Sequence, residues 1–324
     1  MVGRRQLGKS SLLKALERRY RARAGTDCYY LSLSDELLLP RLAWEVGLPL
    51  DTDLDGFIAH LTLAGDGNRR LLFLIDEADA FVAAEAGNDY RTLRRLRSLS
   101  EEGRAYFILA GYWELYRHVA LDYQSPLKNF GEVLSVGALE PDACRALATE
   151  PMARMGIGYQ EETALERLLA ATGGRANLIA IACNEILKGL GALTATQGRR
   201  GIGEAEVGAA LASRAMRTAL DGWEESISAD PAEARLGRMV VYATVTQGRF
   251  DLETLAGRLE AAGAGHILTR GLERALEFLS LAYLIGEEDD GRYRYRVPLF
   301  RERMAKRGPE RLLHDEVMSD NDGR

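Results

Sequence analysis

Eight residues near the start of the chain restrict its fold more than any other feature. Gly3-Arg4-Arg5-Gln6-Leu7-Gly8-Lys9-Ser10 follows the spacing G-x-x-x-x-G-K-[ST]. Glycines let the backbone curl so that several N–H groups point inward at phosphate oxygens. A helix that starts directly after the loop adds the positive end of its dipole. The pattern makes Gly3, Gly8, Lys9, Ser10 and Ser11 the candidate nucleotide-binding residues. Lys9 would reach the β- and γ-phosphates, and the Ser10 hydroxyl would ligate Mg²⁺. A plain glycine turn before a basic helix has the same spacing, so the choice rests on a second motif.

That motif is Leu71-Leu72-Phe73-Leu74-Ile75-Asp76-Glu77. A continuous apolar run ended by acids marks a strand buried on both faces of a parallel sheet. Such a strand delivers its last residues to the carboxyl edge, where ligands bind in open α/β folds. Asp76 is the second candidate metal residue beside Ser10. Glu77 would orient and polarise an attacking water, which makes Glu77 and Lys9 the candidate catalytic residues. Residues 76–79 also spell a helicase box, but no second domain of that kind and no HRxGR-type motif accompanies it.

The rest of the chain supports an α/β core. Residues 28–33, 71–75, 105–110 and 132–136 read as strands, and 10–23, 35–66 and 88–102 as mainly helical. Alternating strands and helices predict a doubly wound parallel sheet over residues 1–140. After Pro141 the strand signal stops and helices are expected over 141–154, 161–171, 176–189 and 203–222. Residues 225–233 are polar, contain Pro231 and read as a linker. Helices near 235–247, 251–262 and 269–284, then a hairpin, follow it, and the polar segment from Gly308 is expected to fray.

Composition excludes several classes. The 324 residues are 47% hydrophobic and 28% charged with a net charge of −6, which is neither a disordered chain nor a generally basic nucleic-acid binder. No apolar run approaches the ~20 residues of a membrane span, and residues 1–10 lack a signal-peptide core. Three well-separated cysteines, Cys28, Cys144 and Cys183, favour reduced thiols and a cytoplasmic setting. The four histidines have no metal-ligand spacing.

These motifs together resemble the AAA+/STAND class of P-loop ATPases, with the nearest likeness to Orc1/Cdc6 initiators. Residues 3–13 and 71–79 carry the resemblance, and residues 125–130, 139–143 and 293–301 extend it. Residues 172–179, TGGRANLI, are similar to the start of the family's lid helix. The resemblance implies ATP and Mg²⁺ as cofactors and a fold of P-loop core (1–140), helical lid (141–224), linker (225–233), winged helix (234–307) and tail (308–324). It implies a slowly hydrolysing switch whose nucleotide state moves the lid and winged helix. The alternative is a hydrolysis-deficient DNA- or protein-binding module on a degenerate ATPase core. By position, Arg175 would sense the γ-phosphate.

The chain departs from the family pattern. Ala176 stands where a proline is expected, and 105–110 ends in Ala110-Gly111 rather than a polar sensor. No arginine finger can be assigned, and Arg94, Arg95, Arg97 and Arg117 are candidates set against a solvated helix face. Only Met1 and Val2 precede Gly3, although a phosphate loop hangs from a central strand. The expectation is a core lacking its first strand and a start short of the natural one.

In the expected hairpin, Arg292, Arg294 and Arg296 alternate with Tyr293 and Tyr295, which puts the arginines on one face. Residues 292–311 hold eight basic and two acidic side chains, a candidate nucleic-acid contact. The turn carries Glu287, Glu288, Asp289 and Asp290 where phosphates would lie, which opposes it. Double-stranded DNA, a protein partner and self-association all remain open; a membrane does not.

Overall fold

The structure, a computed structural model, describes residues 1–33, 38–65, 69–192 and 201–322. Of the region expected to be helical over 35–66, residues 35–37 and 66 lie outside these. The chain divides into two compact units, Met1–Val136 and Gly137–Arg324.

The first unit runs α1 (Lys9–Arg21), β1 (Thr26–Ser32), α2 (Leu38–Glu45), α3 (Leu54–Gly65), β2 (Arg70–Asp76), α4 (Asp79–Ala86), α5 (Arg91–Glu101), β3 (Ala105–Leu109) and α6 (Trp113–Tyr116). A π-helical turn, Arg117–Leu121, and a 3₁₀ turn, Pro126–Asn129, follow. The strands form a parallel sheet in the order β1-β2-β3. Beyond β3, Val2 bridges Gly111 on one side and Ser135 on the other, both in parallel. Its N–H donates to the Leu134 carbonyl (2.8 Å), and its carbonyl accepts from Val136 N–H (2.8 Å). Val2 therefore holds a central place in the sheet, and the glycine loop leaves from the carboxyl edge. The strand expected over 132–136 reduces to this one bridge, because its pairing is with Val2 alone.

Both sheet faces are covered, as the apolar run of β2 requires. On the α1 side, Leu13, Cys28, Leu72, Leu74 and Ala110 form one core. On the other side, the parallel register aligns Tyr29, Phe73 and Phe107 across three strands. Their rings stack at 5.1 and 5.3 Å, and Phe57 from α3 meets Phe73 edge-on at 6.3 Å. Aromatic pairs of this kind add about 0.5–1.5 kcal/mol each beyond area burial.

The second unit contains α7 (Pro141–Arg154), β4 (Gly158–Tyr159), α8 (Glu162–Thr172), α9 (Ala176–Ala192), β5 (Gly201–Ile202), α10 (Glu204–Leu211) and α11 (Arg214–Leu220). It continues with α12 (Pro231–Thr244), α13 (Leu252–Ala261), α14 (Thr269–Leu281), the antiparallel pair β6 (Ile285–Glu287) and β7 (Tyr293–Tyr295), α15 (Pro298–Ala305) and α16 (Pro309–Asp322). Phe250 adds an isolated antiparallel bridge to Tyr293.

Residues 225–233, read in sequence as a linker, carry buried as well as exposed side chains. Ile227 is fully buried against Gly237, and Asp230 caps α12 by accepting from Ala232 and Glu233 N–H groups. The segment from Gly308 does not fray. Leu313 and Val317, four residues apart, are buried, and α16 packs along α12. Arg238 donates to both oxygens of Glu316 (2.5 and 3.1 Å) across that contact. Two apolar residues among many charges suffice when they share a helix face. Among the described residues no helix is long and apolar enough to cross a membrane, and the three cysteines are free.

Candidate nucleotide-binding site

The glycine loop owes its path to two glycines with different constraints. At Gly3 (φ +154°) a Cβ would lie 2.7 Å from the Val136 carbonyl oxygen, so the loop leaves the sheet through a gap only glycine fits. Gly8 (φ +98°) has open space around it, and its conformation alone excludes other residues without strain. Gln6 (φ +66°) is also left-handed. Successive turns of this kind direct N–H groups into a shared concavity. The loop passes straight into α1, whose N-cap makes no side-chain hydrogen bond and whose first turn carries no acid. Its leading N–H groups and dipole therefore favour an anion.

Lys9 is buried and folds back over the loop. Its Nζ donates to the carbonyls of Gly3 (2.6 Å) and Arg4 (3.1 Å). Burial pushes its ammonium below the ordinary lysine value, and the carboxylates of Glu77, Asp79 and Asp76 pull it back up. Those three groups thus share the electrostatic neighbourhood of Lys9, although 67 or more residues separate them in sequence.

Asp76 ends β2 and is 2% exposed. Its Oδ2 accepts from the Tyr30 hydroxyl (3.0 Å), and its Oδ1 accepts from Glu77 N–H (3.1 Å). Burial, followed by the charge and hydrogen bond of Asp76, pushes the Tyr30 hydroxyl up to about 12, so Tyr30 remains a donor at neutral pH. Glu77 has φ +55°, an uncommon conformation for a non-glycine residue. Ala78 N–H, bonded to the Ala110 carbonyl (2.9 Å), holds the turn in place. Strain of this kind is retained where surrounding contacts over-determine it, as at functional turns.

Asp79 takes a structural place. Its carboxylate accepts from the N–H groups of Tyr112 (2.8 Å), Glu114 (3.0 Å) and Leu115 (3.2 Å), capping the start of α6. A Cβ on Gly111 would sit 2.8 Å from Asp79 Oδ2. The small Ala110-Gly111 pair that ends β3 therefore accommodates this cap.

The remaining sequence candidates lie elsewhere. Arg94 and Arg95 are exposed and pair with Asp89 and Asp55, and the half-exposed Arg97 pairs with Glu101; all three sit on the outer face of α5. Arg117 opens the π-helical turn. Arg175 belongs to the second unit and is 1% exposed, its guanidinium carbon 4.1 Å from the Trp223 ring centroid. Arg294 pairs with Glu288 (3.3 Å), which also pairs with Arg249 (2.7 Å), and Arg292 lies 4.0 Å from Asp290. Arg296 donates to the Glu287 carbonyl (3.4 Å). Acidic side chains of the turn thus lie beside Arg292 and Arg294, whereas Arg296 reaches a backbone carbonyl of β6.

Tyr30 was not legible as a site residue. Only the register that sets Tyr30 opposite Leu74 brings its hydroxyl to Asp76, and sequence does not reveal the register of two parallel strands so far apart in the chain.

Residues 1–119 match the family model described as an AAA domain. A Walker-type ATPase of Pyrococcus abyssi has a similar structure, with 17% identity and a TM-score of 0.62 over 94% of this chain and 89% of that one. The ORC2 protein of Aeropyrum pernix, solved in ADPNP–ADP complexes, is similar at 19% identity and a TM-score of 0.57, over 99% and 87% of the two chains. No curated protein sequence matches the chain. At these identities the likeness establishes the fold.

Proposed function

We propose that this protein, whose residues 1–119 match an AAA domain model and whose fold is like that of a Walker-type ATPase, binds ATP and hydrolyses it slowly as a molecular switch. What supports this reading is the buried Lys9, folded onto the carbonyls of a loop with left-handed Gln6 and Gly8, in one unit with a buried Asp76 that ends β2 and a left-handed Glu77 directly after it. Gly3, Gly8, Ser10 and Ser11 frame the phosphates, and Lys9 exchanges its loop carbonyls for phosphate oxygens when the nucleotide arrives.

The donor set fits Mg²⁺. Ser10 offers a hydroxyl and Asp76 a carboxylate, both hard oxygen donors, and among the described residues no cluster of three His, Cys, Asp or Glu side chains could cage a metal. Mg²⁺ sites beside phosphates use one or two protein oxygens and complete the shell with phosphate and water. When bound, the ion neutralises charge on the β- and γ-phosphates. Glu77 accepts a hydrogen bond from the attacking water and orients it toward the γ-phosphorus.

Glu77→Gln keeps the shape of the site and removes the charge that polarises water. Phosphate release by Glu77→Gln is expected to fall about 10²–10⁴-fold below wild type, with ATP binding retained. Equal rates in the two proteins would leave a nucleotide-binding module without hydrolysis.

For the second unit we propose a lid (α7–α11) followed by a winged helix (α12–α14 and the β6–β7 hairpin). The acidic side chains beside Arg292 and Arg294, and the β6 carbonyl that Arg296 reaches, support a role in holding the hairpin rather than gripping DNA phosphates. Arg175, whose motif suggests a γ-phosphate sensor, has its guanidinium over the Trp223 ring.

A further inference from the structure

Asp76 poses a local problem. Its carboxylate is 2% exposed, and a buried anion is unfavourable unless donors satisfy it. Glu77 N–H supplies one donor, to Oδ1. Among the described residues the side-chain donor is Tyr30, whose hydroxyl reaches Oδ2 at 3.0 Å from the neighbouring strand. The Tyr30 ring is fixed at both ends. Its backbone pairs with Leu74, and its ring packs on the core of Leu13, Cys28 and Leu74 beneath α1. Lys14, one turn into α1, lies 5.7 Å from the ring centroid. The hydroxyl is thereby held where it restrains rotation of the Asp76 carboxylate.

An ionised carboxylate offers about four lone-pair sites, and the two donors occupy one on each oxygen. The others are the ones a metal ion, or water bound to it, would use. Groups that orient a ligating carboxylate in this way govern how well the site holds its ion.

We infer that Tyr30 is a positioning residue for Asp76, its hydroxyl aiming the carboxylate so that the ATP site retains Mg²⁺. This rests on reading the site as an ATP·Mg²⁺ site. It adds a residue outside both sequence motifs, on a strand that neither motif includes.

Tyr30→Phe removes one oxygen and keeps the ring in the core. Binding of a non-hydrolysable ATP analogue, titrated with Mg²⁺, is the direct test, with Mn²⁺ binding read by electron paramagnetic resonance as a second signal. The half-saturating metal concentration is expected to rise about 10-fold or more. Nucleotide affinity in EDTA should stay at the wild-type level, a result that general damage to the fold would not give. In an Asp76→Asn background, Tyr30→Phe should have much less effect, since the two act through one hydrogen bond. This cycle also decides the case if Tyr30→Phe lowers the thermal midpoint.

Wild type that binds the analogue with Mg²⁺, beside a Tyr30→Phe protein of equal metal affinity, overturns the inference and leaves the ATPase reading intact. Equal losses from Tyr30→Phe with and without Asp76→Asn overturn it as well. Wild type that binds no analogue under any metal condition overturns the ATPase reading itself.

Discussion

Gly3 and Gly8 are one residue type meeting two different demands. A side chain at Gly3 collides with the Val136 carbonyl, whereas one at Gly8 meets nothing within 4 Å and pays only for its left-handed backbone. Gly8→Ala should therefore cost about 1–2 kcal/mol, and Gly3→Ala more, with the loop displaced from the sheet. Denaturant unfolding of the two variants checks the order, and equal losses would mean that the Val136 contact does not constrain the loop. At this scale the motif spacing proposes Lys9, Ser10, Asp76 and Glu77 as a set. It could not identify Tyr30 or the capping role of Asp79, because each depends on which strand or helix lies alongside.

At the scale of elements, the segment after β3 is tied down by polar contacts rather than by apolar spacing. The Tyr90 hydroxyl donates to Asp122 Oδ2 (2.5 Å) and lies 2.7 Å from His118 Nδ1. The hydrogen bond from Tyr90 holds the Asp122 carboxyl below its usual value of 3.8. A carboxyl whose folded value is depressed contributes stability that is present above the usual value. That stability is lost as pH falls through the lowered one. Wild type should accordingly lose stability below pH 3.8 more steeply than Tyr90→Phe. Thermal melts across pH 2–6 test this; parallel curves would show that Asp122 does not feel the hydroxyl. Most helices were legible because apolar residues recur at helical spacing. The strand expected over 132–136 and the fraying expected from Gly308 miss for one cause. A single bridging residue and a Leu313–Val317 pair leave too little local pattern to outweigh the polar residues around them.

At the scale of the whole molecule, the alternation of strands and helices before Pro141 and its absence afterwards showed an α/β unit followed by a mostly helical one. Charge was harder to read. Eight basic residues over 292–311 look like a nucleic-acid surface in sequence, yet the fold turns Glu288 and Asp290 onto Arg294 and Arg292. Changing Arg292, Arg294 and Arg296 together to alanine should leave affinity for a DNA duplex and its salt dependence unchanged, while lowering the thermal midpoint of the protein. A fall in the salt slope by roughly one per lost phosphate contact would show instead that these arginines grip the backbone.

If the loop from Gly3 to Ser10 holds the phosphates of ATP through Lys9, calorimetric titration of ATP with Mg²⁺ should separate wild type from Lys9→Ala. Saturable binding with one site per chain is expected in wild type and none measurable in Lys9→Ala. Equal affinity in the two proteins would mean that Lys9 does not hold the nucleotide.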